Sequence, residues 1–355
     1  MYVEKLTLHN FRCFDRASFD FSDGLHAIVG DNGQGKTTLL EALFFCITAT
    51  SFRTNHVKEL IRFGQECLWV EVRFKRLGVS HTLSVGYDGK MRKVCFNGAP
   101  CSSTTELLGL ISGVACTPED IELIQGPPAV RRRYLDLFLA QTQPFYVYHL
   151  RRYVRALKQR NVLLKEKKKA MLFCWEKELA QSGAYIAYER KKAVASIEKQ
   201  AQTELRALFG SDVLLEIGYN SFCRSADSLE AITSYLLQEF TKKQAQELEQ
   251  GMTLTGPHRD DLDIRLEKRS AKEYASIGQK RLIGHALRLA EWHYLHRACE
   301  EAPLMIVDDF ATSLDSSKSC HLASSLTSLG QVFVSSTQIP TLSSCAVASV
   351  VELKR

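Results

Sequence analysis

The sequence predicts an α/β fold in two parts, a sheet-containing domain and an inserted helical lobe, on three observations. A glycine-rich turn at 30–35 separates a short apolar run, 25–29, from a helical pattern that starts near Thr38. Alternating strand patterns with Asp-Gly and Asn-Gly turns fill residues 68–100 and predict a meander of antiparallel strands. Residues 126–210 contain no strand pattern and carry apolar residues at helical spacing. We therefore expect a discontinuous domain, residues 1–125 and 251–355, and a helical, arm-like lobe, residues 126–250.

Composition narrows the class of protein. The chain has 355 residues, 45% of them hydrophobic, which is ordinary for a globular protein with a sizeable core. No apolar run is long enough to cross a bilayer and residues 1–5 show no signal pattern, so we expect a cytosolic protein without a membrane partner. Eleven cysteines, an odd number without any C-x-x-C pair, predict reduced thiols rather than disulfides or a zinc site.

The glycine-rich turn matches the pattern G-x-x-x-x-G-K-T. Its two glycines let backbone N–H groups approach a phosphate chain where a Cβ would collide. The lysine can reach the β- and γ-phosphates and the threonine hydroxyl can ligate Mg²⁺. The helix that follows places its N-terminus against the anion. The predicted phosphate-binding residues are Gly30, Asp31, Asn32, Gly33, Gln34, Gly35, Lys36, Thr37 and Thr38.

Two later stretches complete the predicted chemistry. Residues 304–307 form a continuous apolar run, typical of a central parallel strand, that ends in Asp308 and Asp309. Asp308 is positioned to hold Mg²⁺, and Asp309 to orient or deprotonate an attacking water. Ser276, Gly278 and Gln279 begin another helix and predict a second anion site, for which a simple N-cap serine is the alternative interpretation.

Charge is concentrated in residues 151–200. This segment holds fourteen Lys and Arg against five Glu, a local net charge of +9 in a chain of net charge +6. Such a segment predicts a polyanionic partner, although a solvated helix face is the alternative. The candidate phosphate contacts to DNA are Arg151, Arg152, Arg155, Lys158 and Arg160, with Lys165, Lys167, Lys168 and Lys169 beyond them.

Several motifs carry a resemblance to a known family. LTLHNFRCF at 6–14, followed by GDNGQGKTT at 30–38, resembles the ABC-type ATPase heads of chromosome-maintenance and recombination proteins. With TPEDIELIQGPPAVRRRYLD at 117–136, LKQRNVLLK at 157–165, LTGPHRDDL at 254–262 and SIGQKR at 276–281, nearly the whole chain resembles the RecF family of bacterial recombination and repair ATPases.

The resemblance implies a function and partners. Such a protein binds ATP and Mg²⁺ and forms an ATP-dependent homodimer in which Ser276 faces the nucleotide of the partner subunit. It acts on duplex DNA and at single-strand/double-strand junctions, with RecO and RecR as partners, and assists recombinase loading. The alternatives are an energy-supplying subunit of a transporter, which needs no charged arm, and a structural chromosome-bridging ATPase, which needs longer coiled coils.

The chain departs from the family pattern at two places. Phe52 stands where the family usually has His, and Thr312-Ser313-Leu314-Asp315 stands where it usually has Ser-Glu-Leu-Asp. The second segment lies near the dimer contact in ABC-type heads. We therefore expect ATP binding with slow hydrolysis.

Overall fold

The computed structural model describes residues 1–209, 212–223, 226–309, 323–337 and 347–353. Its strands are β1 (Tyr2–Phe11), β2 (Phe14–Asp20), β3 (Leu25–Val29), β4 (Leu68–Arg76), β5 (Val79–Tyr87), β6 (Arg92–Phe96), β7 (Ala99–Pro100), β8 (Gly113–Cys116), β9 (Leu215–Asn220), β10 (Asp261–Leu266), β11 (Arg269–Ser270), β12 (Leu304–Val307), β13 (Val332–Ser336) and β14 (Val347–Glu352). Its α-helices are α1 (Lys36–Thr48), α2 (Ile121–Gln125), α3 (Pro128–Thr142), α4 (Pro144–Lys165), α5 (Phe173–Phe209), α6 (Leu229–Gln250), α7 (Ala271–Tyr274) and α8 (Ile277–Cys299).

The chain divides into two compact units. Unit 1 comprises residues 1–121, 203–213 and 275–355, and unit 2 comprises residues 122–202 and 214–274. These boundaries differ from those predicted for the discontinuous domain and the arm-like lobe. Residues 251–274, predicted in the head, belong to unit 2, because β10 pairs with β9 from Asp261 opposite Asn220 to Leu266 opposite Leu215.

A parallel sheet organises unit 1, with strand order β14-β3-β13-β12-β8. All four residues of β12 are buried, as expected for a central strand covered on both faces. The predicted parallel strand at 304–307 is therefore confirmed. Since the carboxyl ends of parallel strands meet at one edge of a sheet, the loop after β3 and the acids after β12 open at the same edge.

An antiparallel sheet is the second sheet of unit 1, with strand order β2-β1-β4-β5-β6-β7. In β4 the alternating residues Val70, Val72 and Phe74 are buried, and Asn97 (φ 49°) with Gly98 (φ 79°) makes the turn between β6 and β7. The antiparallel meander predicted for residues 68–100 is confirmed. Helix α1 packs against strands of both sheets and is buried from Thr38 to Thr48, so it joins them in one core.

Unit 2 contains α3, α4, α6 and most of α5, together with the sheet β11-β10-β9. Two of the sequence motifs meet there through buried arginines. Arg131 donates hydrogen bonds of 2.6 and 2.9 Å to the carboxylate of Asp261. Arg190 donates to Asp136 at 2.7 Å and to the carbonyl oxygen of Pro257 at 2.8 Å. The motifs at 117–136 and 254–262 therefore hold each other in place.

Arg160 is fully buried in unit 2, so its prediction as a DNA contact is wrong. Its guanidinium donates to Glu247 at 2.6 Å, to Glu176 at 2.9 Å and to the hydroxyl of Thr253 at 3.0 Å. It also lies 4.6 Å from the centroid of the Phe240 ring. These contacts join α4, α5 and α6 through one charged group.

We expect Arg160→Ala to lower the free energy of unfolding by about 3–5 kcal/mol, because Glu247 would remain buried without its partner. The measurement is the shift of the urea unfolding midpoint of the full chain. Lys158→Ala is the matched control: this exposed residue lies on the same helix, and its change should stay within about 0.5 kcal/mol. Equal midpoints for the two variants would contradict this role of Arg160.

Candidate nucleotide-binding site

The glycine-rich turn lies between β3 and α1, as predicted. Gly35 has φ +102°, and a Cβ there would lie 2.9 Å from the Sγ atom of Cys13. A Cβ on Gly30 would lie 3.0 Å from the backbone oxygen of Leu353 and 2.3 Å from Oε1 of Gln34. Steric crowding therefore favours glycine at both positions. At Gly35 the positive φ favours glycine as well. Helix α1 has no side-chain cap, so its first N–H groups face the turn without a competing acceptor.

Polar contacts order this turn from within. Lys36 Nζ donates to the carbonyl oxygens of Gly30 at 2.6 Å and Asp31 at 2.9 Å. Gln34 Oε1 accepts from the backbone N–H of Asp31 at 2.7 Å. The ammonium group of Lys36 is thus held at the start of the turn, beside the N-terminus of α1. An anion there would meet a positive charge and the helix dipole together.

The acidic end of β12 meets the turn. Asp308, 8% exposed, accepts hydrogen bonds from Thr37 Oγ1 at 3.0 Å and from Ser335 Oγ at 2.7 Å. Ser335 Oγ also accepts from the backbone N–H of Asp309 at 2.7 Å. Burial raises the pKa of Asp308 above its ordinary value, and the two hydroxyl donors lower it in part. Asp309 is exposed and has φ 56°.

The donor set at this edge fits Mg²⁺. Mg²⁺ takes oxygen ligands and commonly binds through one or two carboxylates together with substrate phosphates and water. Thr37 Oγ1 and Asp308 Oδ1 supply such oxygens side by side. Within the described residues, no group of three or more His, Cys, Asp or Glu could hold a metal ion, so phosphate oxygens would have to complete the shell.

A cleft of about 730 Å³ opens beside the turn. Eight predicted residues line it: Asn32, Gly33, Gly35, Lys36, Thr37, Thr38, Asp308 and Asp309. Gly30, Asp31 and Gln34 of the turn are not among its lining residues. The cleft is also lined by residues that sequence reasoning missed. The added lining residues are Arg12, Cys13, Arg53, Ile61, Phe63, Pro118, Glu119 and Ser335. Phe63 is fully exposed and Ile61 lies beside it, which gives the cleft an apolar flank of the kind that a base can contact. The adjacent aromatic and aliphatic residues at 61–63 are the only sequence signal for this flank.

A buried carboxylate on α1 orders two arginines at the cleft. Glu41 is fully buried and accepts two hydrogen bonds from Arg12, at 2.9 and 3.0 Å, and one from the hydroxyl of Ser51. Arg53 lies 3.9 Å from the same carboxylate. Phe52, a departure from the family pattern, packs edge-on against Phe44 in the core with centroids 5.6 Å apart.

The predicted second anion site is at the surface. Ser276 Oγ accepts from the backbone N–H of Gln279 at 3.2 Å, and Gln279 Oε1 accepts from the N–H of Ser276 at 2.8 Å. These reciprocal bonds are a capping box, so Ser276 does act as the N-cap of α8. Ser276 and Gly278 are nevertheless exposed, and Ile277 is 65% exposed. The segment therefore lies at the surface of the chain.

Helix α8 is also tied to the cleft lining. Arg288 donates to Asp120 at 2.6 and 3.0 Å and to Glu291 at 2.8 Å. Asp120 ends the short 3₁₀ turn that begins with Pro118, and Pro118 and Glu119 line the cleft. Burial raises the pKa of Glu291 to about 7.

The remaining predicted DNA contacts are on α4. Arg151, Arg155 and Lys158 are exposed, as the prediction requires. Arg152 is half-buried, pairs with Glu178 and lies over the ring of Tyr148. The departure at Thr312-Ser313-Leu314-Asp315 lies outside the described residues.

The chain has relatives among known proteins. The family model described as the RecF/RecN/SMC N terminal domain matches residues 2–355. The "DNA replication and repair protein RecF" of Protochlamydia amoebophila is 40% identical over 338 residues, which cover 95% of this chain and 94% of the relative. The chain belongs to the RecF family. Another RecF, from Oceanobacillus iheyensis, is 32% identical over 96% of this chain and 94% of the relative.

Solved structures of RecF share the fold. The structure described as "the recombination mediator protein RecF-ATP in RecFOR pathway" has a TM-score of 0.90 and 29% identity, covering 96% of this chain and 94% of that one. An SMC head bound to a domain of ScpA, at a TM-score of 0.55 and 16% identity over 97% of this chain and 93% of that one, shows the fold alone. The predicted ABC-type head fold is thereby confirmed. Among the helices in the described parts of the chain, none combines the length and apolarity that crossing a membrane requires.

The Ser335 hydroxyl generates a prediction for Mg²⁺-dependent binding. In Ser335→Ala, Asp308 would lose a donor to its charged form, so its already raised pKa would rise further. We expect the Mg²⁺-dependent part of ATP affinity to fall by about tenfold or more, because a hydrogen bond to a charged group contributes about 1.5–3 kcal/mol. The deficit should be larger at acidic than at alkaline pH.

Calorimetric titration with ATP, with Mg²⁺ and then with EDTA, checks this prediction. In EDTA the variant and the wild type should bind ATP alike, because the turn and Lys36 are unchanged. An equal loss with and without Mg²⁺ would show instead that Ser335 supports the cleft as a whole.

Proposed function

We propose that this RecF-family protein is an ATP-switched DNA-binding protein of recombinational repair. The observation that carries the proposal is where the two predicted anion sites lie: residues of the turn and Asp308 line one cleft, while the Ser276 segment is exposed at the surface. One γ-phosphate does not need both elements from one chain. Two copies would therefore share each ATP, the turn of one meeting the Ser276 segment of the other.

The residues have separate roles in this proposal. Lys36 and the N-terminal amides of α1 bind and orient the phosphates. Thr37 and Asp308 hold Mg²⁺, which supplies charge neutralisation when bound. Asp309 orients the attacking water and accepts its proton. Ser276, Gly278 and Gln279 contact the γ-phosphate held by the partner subunit, so ATP closes the dimer and hydrolysis opens it.

DNA is the proposed partner of unit 2. The exposed residues Arg151, Arg155 and Lys158 supply phosphate contacts, which set affinity without reading sequence. The solved relative is described as a recombination mediator in the RecFOR pathway, and the curated relatives are described as replication and repair proteins. We propose that this chain binds gapped DNA at its single-strand/double-strand junctions. We also propose RecO and RecR as its protein partners.

We expect Lys36→Ala to abolish ATP-dependent dimerisation while leaving the monomer folded, because the phosphates lose their charged side-chain contact. Sedimentation velocity with and without ATP and gapped DNA is the measurement. Lys58→Ala, an exposed lysine of the same unit outside the cleft, should dimerise like the wild type. Persistent ATP-dependent dimers of the Lys36 variant would refute the turn as the switch.

Asp309→Asn should slow ATP turnover by about 10²–10⁴-fold, since the general base is lost, and should prolong the ATP-bound dimer. The substitution suits the site, because Asn tolerates the positive φ of this position. Steady-state phosphate release, together with the lifetime of the dimer, tests it. Unchanged turnover would remove Asp309 from the proposed mechanism.

A further inference from the structure

The connection between α4 and α5 is a short, strongly basic segment. We call residues 165–173 the arm tip; its sequence is KEKKKAMLF. Helix α4 ends at Lys165 and α5 begins at Phe173, with a 3₁₀ turn at Lys169–Met171 between them. The mechanism proposed above assigns it no role.

The arm tip has a defined conformation. Lys167 has φ 54°, the left-handed conformation that ends many helices. The backbone N–H of Lys168 donates to the carbonyl of Leu163 at 2.9 Å, and that of Lys167 to Leu164 at 3.1 Å. Leu172 is fully buried and holds the segment against the helices. These bonds make the tip a shaped surface rather than a loose linker.

The helices beneath the tip are joined by the buried Arg160 cluster. Arg160 lies five residues before the end of α4, and Glu176 lies three residues after the start of α5. Their bond of 2.9 Å, with the bond from Arg160 to Glu247 of α6, fixes three helices close to the tip. The tip therefore has a rigid base that positions its side chains.

The exposed side chains of the tip have two kinds of chemistry. Lys165, Lys167, Lys168 and Lys169 are all exposed, and Lys168 also pairs with Glu166 at 2.8 Å. Glu176, the next acid after the tip along α5, is committed to Arg160. Among these charges lie two apolar side chains, Met171, 54% exposed, and Phe173, 70% exposed.

We propose that the arm tip binds single-stranded DNA where it leaves a duplex, with Phe173 stacked on an unpaired base and the lysines on the flanking phosphates. An exposed aromatic ring on a basic surface suits single-stranded nucleic acid. The ring can stack on the flat face of an unpaired base, and the lysines can contact the phosphate charges. A protein partner would have to bury the ring while matching several lysines with acids. The inference rests on the proposed function and names the part of unit 2 that distinguishes a junction from plain duplex.

The test compares gapped DNA with plain duplex, using the full chain with ATP and Mg²⁺ and fluorescence anisotropy. Phe173→Ala should reduce the ratio of the two affinities by roughly fivefold or more, the loss expected for one base stacked on an aromatic ring. Lys167→Ala with Lys169→Ala should weaken gapped DNA binding and lower the slope of log affinity against log salt by about 1–2. A 2-aminopurine placed beside the junction should respond to the wild type and not to Phe173→Ala.

Phe145→Ala is the matched control. Phe145 is 71% exposed, against 70% for Phe173, and lies near the other end of α4, roughly 30 Å away at 1.5 Å per residue. It should leave the affinity ratio unchanged. An unaltered ratio in Phe173→Ala, or an equal loss in the Phe145 variant, overturns the inference, and the tip would then suit a protein partner.

Failure of the proposed function gives a different result. If wild-type protein neither dimerises with ATP nor binds either DNA, the proposed function fails and this inference with it. If the wild type prefers gapped DNA and Phe173→Ala keeps that preference, only the role of the arm tip is lost. Since Phe173 is mostly exposed, an unchanged unfolding midpoint should accompany each result.

Discussion

The hydrogen bond between Thr37 and Asp308 joins residues 271 positions apart, and the rest of the cleft depends on it. It requires β3 and β12 to lie on either side of β13, so that both carboxyl ends open at one edge. The intervening strand contributes Ser335, whose hydroxyl contacts both Asp308 and Asp309. A change of strand order would leave each motif intact and separate their chemistry.

Sequence patterns predicted the elements that rest on local spacing, and they missed contacts made across the fold. The turn at 30–35, the buried strand at 304–307 and the long helices follow from short-range periodicity. Ser335 has no motif around it, and its role arises from strand order alone. Arg160 could have been found: Tyr153, Ala156 and Leu164 are buried on α4, and 160 falls on their helical spacing. Because Arg160 is charged, it was assigned to the exposed face instead.

Net charge overstates what the basic segment presents to a partner. Of its fourteen Lys and Arg, several are committed to acids within unit 2. Arg152 pairs with Glu178, Arg160 with Glu176 and Glu247, and Arg190 with Asp136. Arg160 and Arg190 are buried, and leaving a buried charge unpaired costs several kcal/mol, so these two arginines are not available to contact DNA. Electrostatic attraction must come from exposed lysines and arginines, whose effect falls with salt.

The capping box at Ser276 has a consequence for evolution at that position. A hydroxyl has two lone pairs and one proton, so its oxygen can accept from Gln279 while its proton remains able to point outward. Aspartate caps a helix as well as serine does, yet in the proposed dimer it would bring a negative charge towards the triphosphate of the partner subunit. Asparagine keeps neutrality but fills more space. Capping the helix and contacting a phosphate both suit a small, uncharged side chain that can donate and accept. If position 276 has both roles, fewer substitutions are tolerated there than helix capping alone would allow.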